Sequence, residues 1–210
     1  MENICILSDF DGTITKKDGL YSFIENYANG DWQSIEQLWA DNKINSKECL
    51  IEEFKLIDNL SEELISDFVK TVDIDEYFCD FYQRIKENNI DFYIVSDGID
   101  YFIAKILERH NIRNINVISN HGEFSGDNFV ITFPNDYEGC INNAGTCKCK
   151  VLSDLRKKYE KIIYIGDGIS DYCVASKADI LYAKSRLIQY CIKNNIEYRA
   201  FENFSDIIFN

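Results

Sequence analysis

The sequence contains no run of the roughly 18 apolar residues that a helix needs to cross a bilayer, although 46% of its 210 residues are hydrophobic. It has a single proline, two histidines, and no internal repeat or low-complexity segment. The first residues, MENICILSDFDG, lack the basic region and small-residue cleavage site of a secretory signal peptide. These absences predict a soluble, cytoplasmic protein with one packed domain, with or without an inserted subdomain.

Positive charge is scarce in this chain. There are 22 Lys and Arg residues against 36 Asp and Glu residues, which gives a formal net charge of −14. Such a surface repels nucleic-acid phosphates and anionic lipids, so we expect neither nucleic acid nor membrane as a partner. It would also repel a small anionic ligand, unless a bound cation and a lysine reverse the charge locally.

Cysteine, in contrast, is frequent in this chain. It has eight cysteine residues: Cys5, Cys49, Cys79, Cys140, Cys147, Cys149, Cys173 and Cys191. Several of them lie inside apolar runs, and the chain is too long to need a disulfide framework. We therefore expect reduced thiols rather than disulfides.

Four short apolar runs predict buried parallel strands, at 4–7, 91–95, 161–165 and 179–183. Segments with helical spacing lie between the later of these strands. The predicted fold class is therefore α/β, with a Rossmann-like doubly wound parallel sheet. Residues 20–72 have helical spacing only, and residues 120–139 suggest a hairpin or loop. We therefore predict a core of residues 1–16 and 76–210 and a helical cap of residues 17–75, with Trp32 and Trp39 in the cap core.

The first predicted strand ends in the sequence SDFDGT, residues 8–13. Asp9 and Asp11 are two residues apart, so both carboxylates can face the same edge of the sheet while Phe10 packs away from it. One carboxylate can attack phosphorus and form an acyl phosphate. The other can protonate the leaving oxygen and later deprotonate a water. An ordinary acidic turn is the alternative explanation of this motif.

The third strand is followed by GDGISD, residues 166–171, which adds carboxylates suited to a metal ion. Asp167 can coordinate Mg²⁺ together with Asp9 and a backbone carbonyl, because hard oxygen ligands are those that Mg²⁺ prefers. Asp171 would orient that shell, or would only favour the dipole of a helix. The complete predicted metal set is Asp9, Asp11, Asp167 and Asp171.

The second strand is followed by Ser96, Asp97 and Gly98. Ser96 offers a hydroxyl and Gly98 an unobstructed backbone N–H to a phosphoryl oxygen. The ligand site of an open α/β sheet lies beyond the carboxyl ends of its strands, so the three segments are predicted to converge there.

DFDGTIT, VSDG, a later lysine and GDGISD resemble, in order and spacing, the four motifs of the haloacid-dehalogenase-like phosphatases. The match spans essentially the whole chain. Within that superfamily the chain is similar to the phosphoserine-phosphatase-like branch, with its methionine-salvage enolic-phosphate phosphatases and phosphoethanolamine/phosphocholine phosphatases. The resemblance implies a Mg²⁺-dependent phosphomonoesterase with a small helical cap and an aspartyl-phosphate intermediate.

The family also has a lysine near the start of a helix between its second and fourth motifs. Residues 145–152 read GTCKCKVL, and Lys148 fits that frame better than Lys150, which would point away from Lys148 on a helix. The predicted catalytic set is therefore Asp9, Asp11, Ser96 and Lys148. A zinc site formed by Cys140, Cys147 and Cys149, with His121 as a fourth ligand, is a weaker alternative, because the C-x-x-C pair is missing.

The sequence does not identify the substrate. Asp97 would favour a cationic amine, whereas Gly12 resembles the methionine-salvage group, and Asp18 is either a substrate contact or a solvated turn residue. Asp18, Asp97 and Gly98 form the predicted substrate-binding set, and a small phosphorylated metabolite is the predicted partner. A phosphoserine phosphatase, a phosphotransferase or phosphomutase, and a non-catalytic zinc- or redox-responsive scaffold are the alternatives.

Overall fold

A mostly parallel sheet forms the centre of the computed structural model, which describes residues 3–140 and 142–208. Its strands are β1 Ile4–Ser8, β2 Asp91–Ile99, β3 Asn116–Ser125, β4 Asn128–Thr132, β5 Lys161–Gly166, β6 Ile180–Ala183 and β7 Arg199–Ala200. Among these described residues the strand order is β4-β3-β2-β1-β5-β6-β7, and only β4 is antiparallel to its neighbour, β3. The order reverses at β1, so a ligand site is expected beyond its carboxyl end.

The central strands are apolar on both sides, as strands covered by helices on two faces must be. Along β1, Cys5 and Leu7 pack in one hydrophobic cluster and Ile6 packs in the other. β5 alternates in the same way, with Ile163 and Ile165 on the side of Ile6. The continuous apolar runs therefore predicted these strands to within about one or two residues at most ends, except that β2 continues to Ile99 rather than stopping at residue 95.

Helices cover both faces of the sheet and form the cap. Those of the core are α5 Phe78–Glu87, α6 Asp100–Arg109, α7 Lys148–Leu155, α8 Tyr172–Ala175 and α9 Ser185–Asn194, and those of the predicted cap segment are α1 Gly19–Tyr27, α2 Trp32–Ala40, α3 Ser46–Phe54 and α4 Glu62–Val69. No helix within the described residues is long and apolar enough to cross a membrane. The prediction of a doubly wound sheet with helices inserted after the first strand is confirmed.

Aromatic side chains of the inserted helices α1 and α3 attach the cap to the core. A bridge between Thr15 and Ile74 brings the two ends of the insertion together. The ring of Phe23 on α1 lies 4.8 Å from that of Phe102 on α6, and Phe54 on α3 stacks on Phe129 of the β3–β4 hairpin. The cap and one face of the sheet therefore share a hydrophobic core. The division at residues 16/17 and 75/76 stays a prediction.

Candidate active site

The carboxyl ends of β1, β2 and β5 meet at one edge of the sheet, as the sequence predicted. The backbone N–H of Asp9 donates to the carbonyl of Ile165 at 2.9 Å, which ties the end of β1 to the end of β5. Ser96 lies where the pairing of β2 with β3 shifts register, between Val95 and Ile99. The irregularity turns this part of β2 out of the regular ladder. Asp9, Ser96 and Asp167 thus face one cavity.

Lys148 begins α7 and is almost completely buried, with 2% of its surface exposed. Its Nζ lies 2.8 Å from Oδ1 of Asp9 and 2.7 Å from Oδ1 of Asp171. Burial lowers the pKa of Lys148, but the carboxylates of Asp171 and Asp9 outweigh burial and raise it above the usual value. Lys148 is therefore a fixed positive charge beside Asp9. Lys150 is exposed and pairs with Asp154 on the same helix.

The carboxylate of Asp171 is fully engaged by the protein. Its Oδ1 accepts hydrogen bonds from Lys148 and, at 2.5 Å, from the hydroxyl of Tyr164. Its Oδ2 accepts from the backbone N–H groups of Asp167 and Gly168 at 2.9 and 3.0 Å. With four donors already bound, Asp171 is better suited to orienting Lys148 and the Asp167 turn than to direct metal ligation.

Asp9, Asp167 and Asp171 form a group whose oxygen atoms lie within 4.8 Å of one another, so they could hold a metal ion. Burial and the negative charge of Asp171 raise the pKa of Asp167 to about 6, and the same two causes raise that of Asp9. A divalent cation would remove this repulsion, and carboxylate oxygens are the donors that Mg²⁺ takes. The site therefore fits Mg²⁺. The Asp11 carboxylate lies outside this group, although the sequence placed it in the metal set.

Asp11 faces the cap instead. Its Oδ1 accepts the backbone N–H of Gly19 at 2.9 Å. Burial and the charge of Asp18 raise the pKa of Asp11 to about 7, against the opposing effect of the Gly19 and Leu20 N–H groups. A carboxyl group with a pKa in this range can both donate and accept a proton near neutral pH.

The sequence predicted that the backbone N–H of Gly98 would bind a phosphoryl oxygen, and the structure gives this N–H another partner. The N–H of Gly98 donates to Oγ of Ser96 at 2.9 Å and is not free for a ligand. A Cβ at this position would lie 2.8 Å from Oδ2 of Asp11, so a side chain here would displace the Asp11 carboxylate. Ser96 accepts this hydrogen bond through its oxygen, which leaves its hydroxyl proton available to a ligand.

The two other predicted substrate residues, Asp18 and Asp97, line the cavity but also have structural partners. Asp18 caps α1 by accepting the N–H of Tyr21 at 2.9 Å. Oδ1 of Asp97 accepts the N–H of Thr146 at 2.9 Å and the amide of Asn120 at 3.2 Å, which fixes the segment before Lys148. The Asp97 carboxylate is thus already occupied, which weakens its prediction as an amine receptor.

The cavity has a volume of about 630 Å³ and extends from the strand ends into the cap. The strand-end side is lined by Asp9, Asp11, Ser96, Asp97, Gly98 and Asp167, and the cap side by Asp18, Leu20, Tyr21, Ile24, Glu36, Trp39 and Glu53. Trp39 was predicted to belong to the cap core with Trp32, and this prediction is wrong, because only Trp32 is buried there. A site with paired carboxylates, a lysine and an enclosed cap has room for a small molecule.

The chain resembles known phosphatases over almost its whole length. Residues 4–197 match the family described as "Putative Phosphatase". The chain belongs to this family. A 2-hydroxy-3-keto-5-methylthiopentenyl-1-phosphate phosphatase of Bacillus cereus (strain B4264) is 34% identical to it over 212 residues, which cover 98% of this chain and 94% of that one. The predicted family resemblance and the prediction of a phosphatase are both confirmed.

Solved structures agree on the fold of this phosphatase. A hydrolase of the haloacid dehalogenase family from Salmonella enterica serovar Typhi superposes with a TM-score of 0.74 at 19% identity, covering 97% of this chain and 69% of that one. A substrate-bound phosphoserine phosphatase superposes with a TM-score of 0.69, also at 19% identity, covering 97% and 94%. At such identities the likeness establishes the shared haloacid-dehalogenase-like fold.

Lys184 lies close to the carboxylates of the candidate site without lining the cavity, and the sequence motifs missed it. It follows β6 directly, and its Nζ donates to the carbonyl of Thr13 at 3.1 Å while lying over the ring of Phe201. Burial lowers its pKa, whereas nearby carboxylates, first that of Asp167, oppose this change. The sequence did contain a sign of this position. Lys184 directly follows the fourth predicted strand, and the carboxyl ends of parallel strands lie at the same edge of the sheet.

The described residues do not bring the CKCK segment into a group of possible zinc ligands. His121 hydrogen-bonds Asp100 at 2.7 Å, and the groups of potential metal ligands among residues 3–140 and 142–208 contain neither histidine nor Cys140, Cys147 or Cys149. All eight cysteines are free thiols, as expected. The thiol of Cys149 instead faces Cys173 and Lys177, whose hydrogen bonds lower its pKa to about 6 despite partial burial.

This environment predicts that iodoacetamide at pH 7 alkylates Cys149 before the other thiols. Cys79 is the control because it is exposed on α5, but burial of its sulfur and the charge of Asp80 raise its pKa. We expect Cys149 to react roughly tenfold faster, since the thiolate is the nucleophile. Peptide mapping over a time course measures both rates. Faster labelling of Cys79 would contradict the prediction.

Proposed function

We propose that this phosphatase hydrolyses a small phosphomonoester in a Mg²⁺-dependent reaction, through an acyl phosphate formed on Asp9. The observation that carries the proposal is the pairing of Asp9 with Lys148, 2.8 Å apart, at the strand-end side of the cavity. Oδ1 of Asp9 is held by Lys148 and by the N–H of Phe10. Oδ2 carries neither of these hydrogen bonds, so we assign it as the oxygen that attacks phosphorus.

Asp11 transfers protons in this proposal. It protonates the leaving oxygen in the first step and deprotonates a water in the second, which releases phosphate from Asp9. Its pKa of about 7 supports both roles. Its hydrogen bond from Gly19, at the start of α1, ties its orientation to the cap.

Lys148 and Ser96 bind the transferring phosphoryl group. Lys148 provides positive charge in a water-excluded site, and Ser96 donates its hydroxyl proton. Asp9 and Asp167 would hold Mg²⁺, which supplies further neutralisation of the phosphoryl oxygens. Asp171 keeps Lys148 and the Asp167 turn in place. Together these groups overcome the repulsion between a net charge of −14 and an anionic substrate.

The first candidate substrate is 2-hydroxy-3-keto-5-methylthiopentenyl-1-phosphate, after the relative at 34% identity. The apolar and aromatic side chains on the cap side of the cavity, Leu20, Tyr21, Ile24 and Trp39, support a substrate with a carbon chain of this kind. Because these side chains lie in the cap, the carbon chain would bind there and the phosphate would bind at the strand ends.

Phosphate release from a panel of esters, with Mg²⁺ and with EDTA, tests the proposal. The panel contains the enolic phosphate, phosphoserine, phosphoethanolamine, phosphocholine and phenyl phosphate. We expect Mg²⁺-dependent turnover with the enolic phosphate as the best substrate. Absence of turnover for every ester, or transfer of phosphate only to an added alcohol, would contradict hydrolysis.

A further inference from the structure

Two glutamates of the cap face each other inside the cavity, away from the strand ends. Glu36 lies on α2 and Glu53 on α3, and both line the cavity that contains Asp9. Oxygen atoms of the two carboxyls and the sulfur of Cys49 lie within 4.8 Å of one another. No step of the proposed hydrolysis uses this pair. Glu53 is buried and Glu36 is partly buried, and a buried carboxyl rarely lacks a partner, so the pair needs an explanation.

Glu53 is the more buried of the two, with 4% of its surface exposed. Its Oε1 atom is buried and accepts no hydrogen bond from the described part of the chain. Leaving a buried acceptor without a donor costs about 1–3 kcal/mol, so such atoms usually have a missing partner. In a residue that lines the cavity, that partner can be a ligand.

Burial and the neighbouring carboxyl favour the protonated form of Glu53 near neutral pH. Burial and the charge of Glu36 raise the pKa of Glu53 to about 8, with a further contribution from Asp18, and burial also raises that of Glu36. The titratable groups that face Glu53 are therefore Glu36 from α2, Cys49 from its own helix and Asp18 at the start of α1. Burial raises the pKa of Cys49, so its thiol stays neutral.

We propose that the Glu36–Glu53 pair binds the carbon chain of the substrate beyond its phosphate, and that it recognises adjacent hydroxyl and keto oxygens of an uncharged phosphorylated hydroxyketone. The protonated carboxyl donates to the keto oxygen, and the ionised carboxyl accepts from the hydroxyl. Trp39, one helical turn from Glu36, and Ile24 line the same side for the carbon chain. The inference rests on the proposed function, since it assumes phosphate at the strand ends.

Ribulose 5-phosphate and phenyl phosphate test this subsite. The first is an open-chain hydroxyketone, and the second has no oxygen beyond its phosphate. The readout is the ratio of their kcat/KM values from pH 6 to 9.5, because the ratio cancels changes in the catalytic groups that both esters share. We expect the ratio to fall about tenfold as the pH rises through 8, since the proton of Glu53 is then lost.

Three variants complete the test. Glu53→Gln keeps a donor and an acceptor but cannot titrate, so its ratio should stay constant with pH. Glu53→Ala should lower the ratio at least tenfold at pH 7. Glu52→Gln, on the same helix but exposed and paired with Lys55, should behave as the wild type.

The outcomes separate the two proposals. If the wild type does not hydrolyse any ester of the panel given above, the proposed function fails. If it does, but Glu53→Ala leaves the ratio unchanged, only the subsite fails. A preference for phosphocholine that rises with pH would contradict the proposal of an uncharged ligand and would indicate that the pair binds a cation. Zinc binding that Glu53→Gln abolishes would overturn it in favour of a metal site.

Discussion

Replacement of Asp9 by asparagine should lower kcat for phosphate release by a factor on the order of 10⁴ to 10⁶, the loss typical of removing a nucleophile. An amide has nearly the same shape as the carboxylate and can still accept from Lys148, but its oxygen does not attack phosphorus. Because the fold around it is retained, substrate binding should change little. Initial rates with phenyl phosphate, measured with Mg²⁺, provide the comparison.

A second measurement identifies the bond that Asp9 forms. Acid quenching during turnover of a ³²P-labelled ester should trap label on the wild-type protein, and hydroxylamine should release it, as expected for an acyl phosphate. Asp9→Asn should carry no label. Asp80→Asn is the matched control, because Asp80 is exposed on α5 and does not line the cavity. Turnover or labelling that survives in Asp9→Asn would rule out this residue as the nucleophile.

Replacement of Lys148 by methionine should damage both activity and stability. Its ammonium lies between Asp9 and Asp171 and is 2% exposed, so the substitution leaves two buried carboxylates without their common partner. Breaking a buried ion pair in this way costs about 3–5 kcal/mol of unfolding free energy. Loss of the positive charge beside the phosphoryl group should lower kcat by roughly 10² to 10³. Urea unfolding in EDTA and initial rates in Mg²⁺ measure the two effects.

Lys150→Met is the matched control on the same helix. Lys150 is exposed and pairs only along the helix with Asp154, and such surface pairs contribute at most about 1 kcal/mol. We expect its stability and kcat to stay near those of the wild type. Equal losses in the two variants would mean that the first turn of α7, and not the Lys148 charge, determines the outcome.

The strand-end residues could be predicted because two local patterns combine with one rule of topology. Continuous apolar runs such as ICIL identify buried strands, and parallel strands place their carboxyl ends at the same edge. The polar residues that follow them, Asp9, Ser96 and Asp167, therefore converge whatever the details of packing. Lys148 was chosen over Lys150 because it fits the lysine position of the family that the chain resembles. Helix geometry adds that the two side chains differ by about 200° in direction, so both cannot face the site.

Hydrogen-bond partners could not be predicted in this way. The N–H of Gly98 bonds Ser96, and the carboxylate of Asp97 bonds Thr146. Both outcomes depend on the register shift in β2 and on the path of the segment before α7, neither of which leaves a pattern in the sequence. The Asp11 carboxylate turns toward Gly19 for the same reason, because its direction depends on how the cap lies over the strand ends.

The amino-acid sequence by itself thus determined four parallel strands of the sheet (β1, β2, β5 and β6), the inserted helices and the chemistry at the strand ends, since each depends on periodicity and on the order of short motifs. Only the tertiary structure decided which cap residues line the opposite side of the cavity. Glu36 and Glu53 are 17 positions apart on two unremarkable helices, and Trp39 has the spacing of a core residue. Packing of α2 against α3 turns all three toward the cavity, because helix–helix contact, and not local sequence, selects which face of a helix is buried.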